Sequence, residues 1–382
     1  MIEYVTLASL LTPAKVVRCG SNRYPILSMT MHDGIVLQSQ RFKKNLASLD
    51  QSNYKVIKHG QLVVGFPIDE GVIYIQKIIP EGIMSPVYDV WDVDDGIVCP
   101  DFLELCLHSP QAMQYYKDNL RGTTARRRSI PTSDFLSLKI PIPDMATQRH
   151  IATVLDKVKA LITLRKQQLD KLDELVKARF VEMFGDPVRN DKNWPIVALG
   201  ELAEIRIGPF GTLLHKEDYI EGGHALVNPS HIVDGKIVID TQLTISDSKY
   251  EELSAYALQK GDIVLGRRGE MGRCAVVHED GLLCGTGSMI IRPGEQMKPY
   301  FLQNILSSPG YKKIIEDKAV GVTMLNLNVP IVSALTVPLL PLDFQKQYVE
   351  FMQKIDTQRL TVQQGLDKLE TMKKALMQKY FG

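Results

Sequence analysis

The sequence predicts an α+β protein built twice over: two tandem α/β globules, each followed by a long helix, with the two helices paired as an antiparallel coiled coil about a pseudo-two-fold axis. Three observations carry this prediction. The chain repeats itself at a nearly constant offset. Each copy ends in a stretch whose apolar residues recur every three or four positions, the spacing of an amphipathic helix. The remainder consists of short β-branched runs broken by Gly, Pro and Asp, the pattern of strands and turns. The boundaries fall at 1–144 for the first globule, 145–187 for its helix, 188–343 for the second globule and 344–382 for the last helix.

The repeat is clearest in the helices. Gln148 to Gly185 aligns without a gap on Gln345 to Gly382 at an offset of 197, and 11 of the 38 positions are identical, in register with the apolar ones. Both copies carry Leu-Asp-Lys-Leu, at 169–172 and 366–369, and both end in Phe-Gly. Upstream, Leu107-His-Ser-Pro110 matches Leu306-Ser-Ser-Pro309, and Leu138-Lys-Ile-Pro141 matches Leu335-Thr-Val-Pro338. His59-Gly-Gln-Leu-Val-Val-Gly65 matches Lys260-Gly-Asp-Ile-Val-Leu-Gly266, where the offset has drifted to 201. Small loop insertions in two diverged copies of one domain leave such a drift.

In the first globule, strands are expected at Gln61–Gly65 and Val72–Ile75, with a helix near Asp101–Leu107. In the second, Asp262–Leu265 and Ser288–Arg292 read as strands and Tyr300–Leu306 as the matching helix. The first long helix runs about 36 residues without Gly or Pro, roughly 54 Å at 1.5 Å per residue, and Gly185 and Pro187 stop it. Gly365 interrupts the second and is expected to weaken or bend it. Each stripe must bury its apolar side, and the other copy is the natural partner. The seam is assigned to Ile151, Leu155, Val158, Leu169, Leu172 and Val176 on one helix, and to Ile355, Leu366, Leu369 and Leu376 on the other. Because the second helix starts beyond the second globule, it must run back along the first, leaving a globule at either end.

Composition narrows the function. The chain has 382 residues, 45% hydrophobic and 23% charged, with a formal net charge of +1, which is that of a folded globular protein. No apolar run is long enough for a membrane span and no basic region opens the chain, so a cytoplasmic protein without membrane attachment is expected. The five cysteines, Cys19, Cys99, Cys106, Cys274 and Cys284, form no Cys-x-x-Cys pair, so neither a disulfide framework nor a zinc site is expected. Walker A, His-Glu-x-x-His and methyltransferase motifs are missing. Gly285-Thr-Gly287 reads as a turn, and Glu316-Asp-Lys318 as a solvated helix face.

A protein two-fold matched to two half-sites is the logic of many double-stranded DNA readers. Basic loops suit that role. Arg121, Arg126, Arg127 and Arg128 lie in an acid-free stretch, whose counterpart near Gly321 carries Thr323, Asn326 and Asn328. Arg267, Arg268 and Arg273 sit in the loop Gly266-Arg-Arg-Gly-Glu-Met-Gly272, and Lys43 and Lys44 form a smaller pair. Arginine can pair with guanine or phosphate and asparagine with adenine; equally, adjacent arginines can be no more than a solvated loop. A protein-interaction adaptor, with the helix pair as a docking rod, remains the competing reading.

Taken together, the order, duplication and spacing resemble the specificity (S) subunits of Type I restriction-modification systems along essentially the whole chain. The residues that carry the resemblance are Leu138-Lys-Ile-Pro-Ile-Pro143 ahead of Gln148, Leu335-Thr-Val-Pro-Leu-Leu-Pro341 ahead of Gln345, Phe184-Gly-Asp-Pro187, and Gly261-Asp-Ile-Val-Leu265 with Gly269 and Gly272. The resemblance implies two target recognition domains, each reading one half of a split, asymmetric DNA site, with the helices as spacer and as docking site for two modification (M) subunits. It implies no catalytic residue, metal or cofactor in this chain; S-adenosylmethionine, and ATP with magnesium, belong to the partner M and restriction (R) subunits. One departure is the first globule, where Gly60-Gln61 replaces Gly-Asp and Pro67 to Gly71 replaces the arginine-glycine loop.

Overall fold

The computed structural model describes residues 3–382 apart from 32, 42–49, 122–128 and 322–324. The chain divides into two compact units, Met1–Gln167 with Val362–Gly382, and Gln168–Thr361. Each unit therefore contains one globule, half of the first long helix and half of the second.

In the first unit, a four-stranded antiparallel sheet is ordered Leu11–Pro13, Asp89–Val93, Leu62–Val64, Ile73–Ile75. The second unit repeats that order with Ala203–Ile207, Ser288–Pro293, Ile263–Gly266, Cys274–Val276. A short strand pair closes each globule beside its helix: Glu3–Thr6 with Lys139–Ile142, and Ile196–Ala198 with Thr336–Pro338. The strands expected from the β-branched runs are found in these sheets, and their alternate side chains, such as Leu62, Ile73, Ile263 and Leu265, are buried.

Helices Pro100–Leu107 and Pro110–Asn119 cover one sheet, and Pro299–Ser307 and Pro309–Lys318 the other. The repeated Ser-Pro now has a cause. Ser109 and Ser308 are N-caps whose hydroxyls accept from Ala112 N (3.1 Å) and Tyr311 N (3.4 Å), and the following proline occupies the first helical position, where no N–H is needed. Glu316, Asp317 and Lys318 lie on an exposed helix face.

Both long helices span 40 residues, Met145–Phe184 and Leu342–Phe381, roughly 60 Å each. The first starts at Asp144, whose carboxylate accepts from Thr147 N (2.9 Å) and Thr147 Oγ1 (2.6 Å); these bonds hold it below the usual carboxylate range. It stops at Gly185, in the left-handed region at φ 76°, which a glycine occupies without steric cost. Gly365, expected to weaken or bend the second helix, lies inside an uninterrupted helical stretch.

Two buried glutamines tie each helix to its own globule in the same way. Gln148 accepts from Cys99 N (2.8 Å) and donates to Ile97 O (3.1 Å) and Pro143 O (2.8 Å). Gln345 accepts from Lys298 N (2.8 Å) and donates to Gln296 O (3.0 Å) and Leu340 O (2.8 Å). A carboxamide is a neutral side chain that satisfies an N–H and carbonyls together, which buried backbone groups require. The far end of each helix is equally well placed: Phe381 meets Phe102 in the first unit's core (ring centroids 5.6 Å apart), and Phe184 meets Phe301 in the second's (4.8 Å). Cys19, Cys106, Cys274 and Cys284 are buried free thiols and Cys99 is half-buried; burial pushes Cys274 up to about 12.

Candidate DNA interface

In the second unit, loops from separate parts of the chain gather at one end of the sheet. The strand Ala203–Ile207 leads into Gly208-Pro-Phe-Gly211, and Gly208 N donates to Ser288 O (3.0 Å). Only glycine fits there: a Cβ at 208 would lie 2.1 Å from Gly285 O, and one at 285 would lie 2.1 Å from Asn228 Oδ1. Close approach of these three loops, and not phosphate binding, accounts for the Gly-Thr-Gly. Phe210, at the tip, is 61% exposed.

The strand Ile263–Gly266 reaches the same end and delivers Arg267 and Arg268. Arg267 N donates to Gly287 O (3.0 Å), and Arg267 O accepts from Leu327 N (3.1 Å), so its backbone is fixed on both sides. Its side chain is half-buried, and Nε donates to Asn326 Oδ1 (3.0 Å). Asn326 is in turn anchored by a reciprocal backbone pair with Val320 (2.8 and 3.1 Å). Burial, and then the charge of neighbouring Arg268, bring the Arg267 guanidinium below its usual value. Arg268 is exposed, and Arg273 is neutralised by Glu270 at the base of the loop (Nε to Oε2, 2.8 Å). Asn328 is a helix N-cap, accepting from Ile331 N (2.9 Å). Thr323 lies outside the described residues.

The first unit has a backbone pair like that of Val320 and Asn326. Arg121 and Ser129 exchange backbone hydrogen bonds (3.0 and 3.2 Å), as Val320 and Asn326 do, and in sequence they flank Arg126, Arg127 and Arg128. Those three arginines, and Lys43 and Lys44, lie outside the described residues. Arg121 itself pairs with Asp134 (3.1 Å), one residue beyond the acid-free stretch, and both are partly or largely exposed, so the pair adds little stability. Where the second unit has Arg267, the first has Phe66, 41% exposed. Sequence reasoning missed the aromatic residues at these two loop ends. In Gly208-Pro-Phe-Gly211, the signal available was an aromatic residue flanked by glycines.

The residues assigned to the helix seam fall in both units. In the first, Ile151, Leu155, Val158 and Leu366 are buried and Leu376 and Leu369 half-buried, and Lys166 pairs with Glu370 across the helices (3.3 Å). In the second, Leu172, Val176 and Ile355 are buried and Leu169 half-buried; Arg359 pairs with Asp173, and Phe180 meets Tyr348 (ring centroids 5.4 Å apart). In the second unit these pairings make the two helices antiparallel; in the first, Ile151 and Leu155 share a core cluster with Phe381 while Lys166 meets Glu370, which gives the same direction. Leu161, which shares the apolar spacing, is exposed, as are Leu164, Leu175 and Leu360. Among the described residues no helix is long and apolar enough to cross a membrane, and no cluster of three or more His, Cys, Asp or Glu side chains could hold a metal ion.

Comparison with known proteins agrees with this architecture. Residues 101–174 and 191–371 match the family described as Type I restriction modification DNA specificity domain, so the chain belongs to that family. It is similar to the Type I restriction enzyme MjaVIII specificity subunit of Methanocaldococcus jannaschii, 22% identical over 377 residues that cover 93% of this chain and 84% of that one. Its fold matches the crystal structure of the Type I restriction-modification system S subunit from M. genitalium (TM-score 0.61, 15% identity, 100% of this chain and 96% of that one). It also matches a chain from a structure that describes complex assembly and conformational transition of the Type I system (TM-score 0.59, 16% identity, 100% and 97%).

Proposed function

We propose that this chain is the DNA-reading, non-catalytic subunit of a Type I restriction-modification complex, acting in the cytoplasm. In this reading residues 1–144 and 188–343 are its two target recognition domains. Each reads one half of a split, asymmetric site in double-stranded DNA, while 145–187 and 344–382 set the spacer and dock two M subunits, to which R subunits add. The observation that carries this reading is the repeated sheet, whose matching strand ends carry different side chains. One sheet topology, repeated, presents Arg267, Arg268 and Phe210 in one copy and Phe66 at the matching loop end of the other. Two surfaces of one design and different chemistry suit two half-sites of different sequence. The exposed leucines on the long helices, Leu161 and Leu164 in the first unit and Leu175 and Leu360 in the second, suit a docking role, since apolar side chains left on a helix surface favour a protein partner. Methyl transfer and ATP hydrolysis are assigned to the partners.

The test is binding by the complex of this chain with its M partner to DNA carrying the split site, at several salt concentrations. Affinity should fall steeply with salt, and scrambling either half-site should weaken binding by several kcal/mol. Equal affinity for scrambled DNA would contradict the reading.

A further inference from the structure

Arg267 differs from the other described arginines of its loop in how it is held. Arg273 is neutralised by Glu270, and Arg268 makes no hydrogen bond or ion pair among the described residues. Arg267 is fixed by its backbone on both sides and by one side-chain bond, Nε to Asn326 Oδ1 at 3.0 Å. Among the described residues no carboxylate pairs with it. A half-buried guanidinium is thus kept in one orientation by a neutral acceptor, which positions it without cancelling its charge. Because the bond uses Nε–H, and no other hydrogen-bond partner of the side chain stands among the described residues, both terminal nitrogens are left as a two-pronged donor.

We propose that Arg267 is a specificity-determining residue that reads a guanine in the second half-site, with Asn326 as its positioning residue. This rests on the reading of the chain as a DNA specificity subunit. The two terminal nitrogens match the O6 and N7 acceptors of guanine in the major groove, which the other bases do not present together. A phosphate would accept the same fork, but a phosphate contact needs no oriented guanidinium, and exposed Arg268 next to it supplies a flexible cation for that role. Pre-orientation matters for base reading because a side chain that must be ordered on binding loses part of its gain to entropy. The first domain has Phe66 at this position, so the guanine reading proposed for Arg267 applies to the second half-site.

The experiment uses the complex of this chain with its M subunit and a pool of duplexes randomised across the second half-site, with methylated products sequenced. The wild type is expected to demand G·C at one position there. Arg267→Ala and Arg267→Lys should both relax that one position roughly 10- to 100-fold while leaving the other positions unchanged; the lysine variant keeps the charge and loses the fork. Asn326→Ala should relax the same position to a smaller degree, a readout that a purely structural role would not move. Arg268→Ala should lower methylation evenly across all sequences and reduce the salt dependence. Soluble assembly with the M subunit and an unchanged first half-site preference establish that each variant is folded. An even loss across sequences for Arg267→Ala and Arg267→Lys, or no change, would overturn the assignment. A wild type with no base preference in the second half-site would overturn the specificity reading itself, and the assignment with it.

Discussion

Asp262 and its counterpart Gln61 separate fold from function at the level of single residues. Asp262 is buried and takes two hydrogen bonds from Arg292, Nε to Oδ1 and Nη2 to Oδ2, both 2.7 Å, and a third from Gln259 N at 2.8 Å. At the matching positions of the first unit, Gln61 donates to Asp92 (2.7 Å) and accepts from Lys58 N (2.8 Å). The Gly-Asp of the second globule is therefore a clamp between two strands, and its replacement in the first is a change of clamp. Removing Arg292 would strand a buried carboxylate: Arg292→Ala should destabilise the second unit by about 3 kcal/mol, with a lowered melting temperature as the check. An unchanged melt would mean that Asp262 finds water or another donor. The Gly-Asp is visible in the sequence but its role is not, because Arg292 lies thirty residues away and sequence spacing does not report such a pair. Arg121 is less free than its sequence neighbourhood suggests for a related reason: its acid, Asp134, stands one residue outside the acid-free stretch.

At the level of elements, the long helices are legible because their signal is local and repeats every turn. Ile151, Leu155, Val158, Leu172, Val176, Ile355 and Leu366 are buried as the periodicity predicts. The periodicity does not separate the covered face from its flank: Leu161 is exposed, while Val158 is buried and Ile162 half-buried. Gly365 is the other lesson. A Cβ added there would find Arg165 Nε, 3.8 Å away, as its sole neighbour within van der Waals reach, so nothing among the described residues requires a glycine. Gly365→Ala should stabilise the helix by roughly 0.5–1 kcal/mol through reduced freedom of the unfolded chain; a loss of stability would show a close contact that assembly requires. Leu172→Lys, by contrast, places a charge at a buried position and should cost on the order of 3 kcal/mol or abolish assembly with the M subunit. Unchanged solubility and assembly would contradict the seam.

For the molecule as a whole, the duplication is the most informative feature of the sequence. It survives as identical sheet order, identical Ser-Pro caps and the same glutamine clasp, all of which serve the fold. The loop ends have diverged, and divergence at one end of a preserved sheet is what two readers of different half-sites require. Replacing Arg126, Arg127 and Arg128 together by alanine should weaken binding mainly through the first half-site, with the affinity for DNA lacking that half-site nearly unchanged. An equal loss on both DNAs would reduce these arginines to nonspecific phosphate contacts. The most direct test of the central claim is single-molecule methylation sequencing of genomic DNA from cells with and without this gene, with the partner methyltransferase gene retained and expressed. Loss of methylation at one split, asymmetric sequence is the predicted result; an unchanged methylome would contradict it.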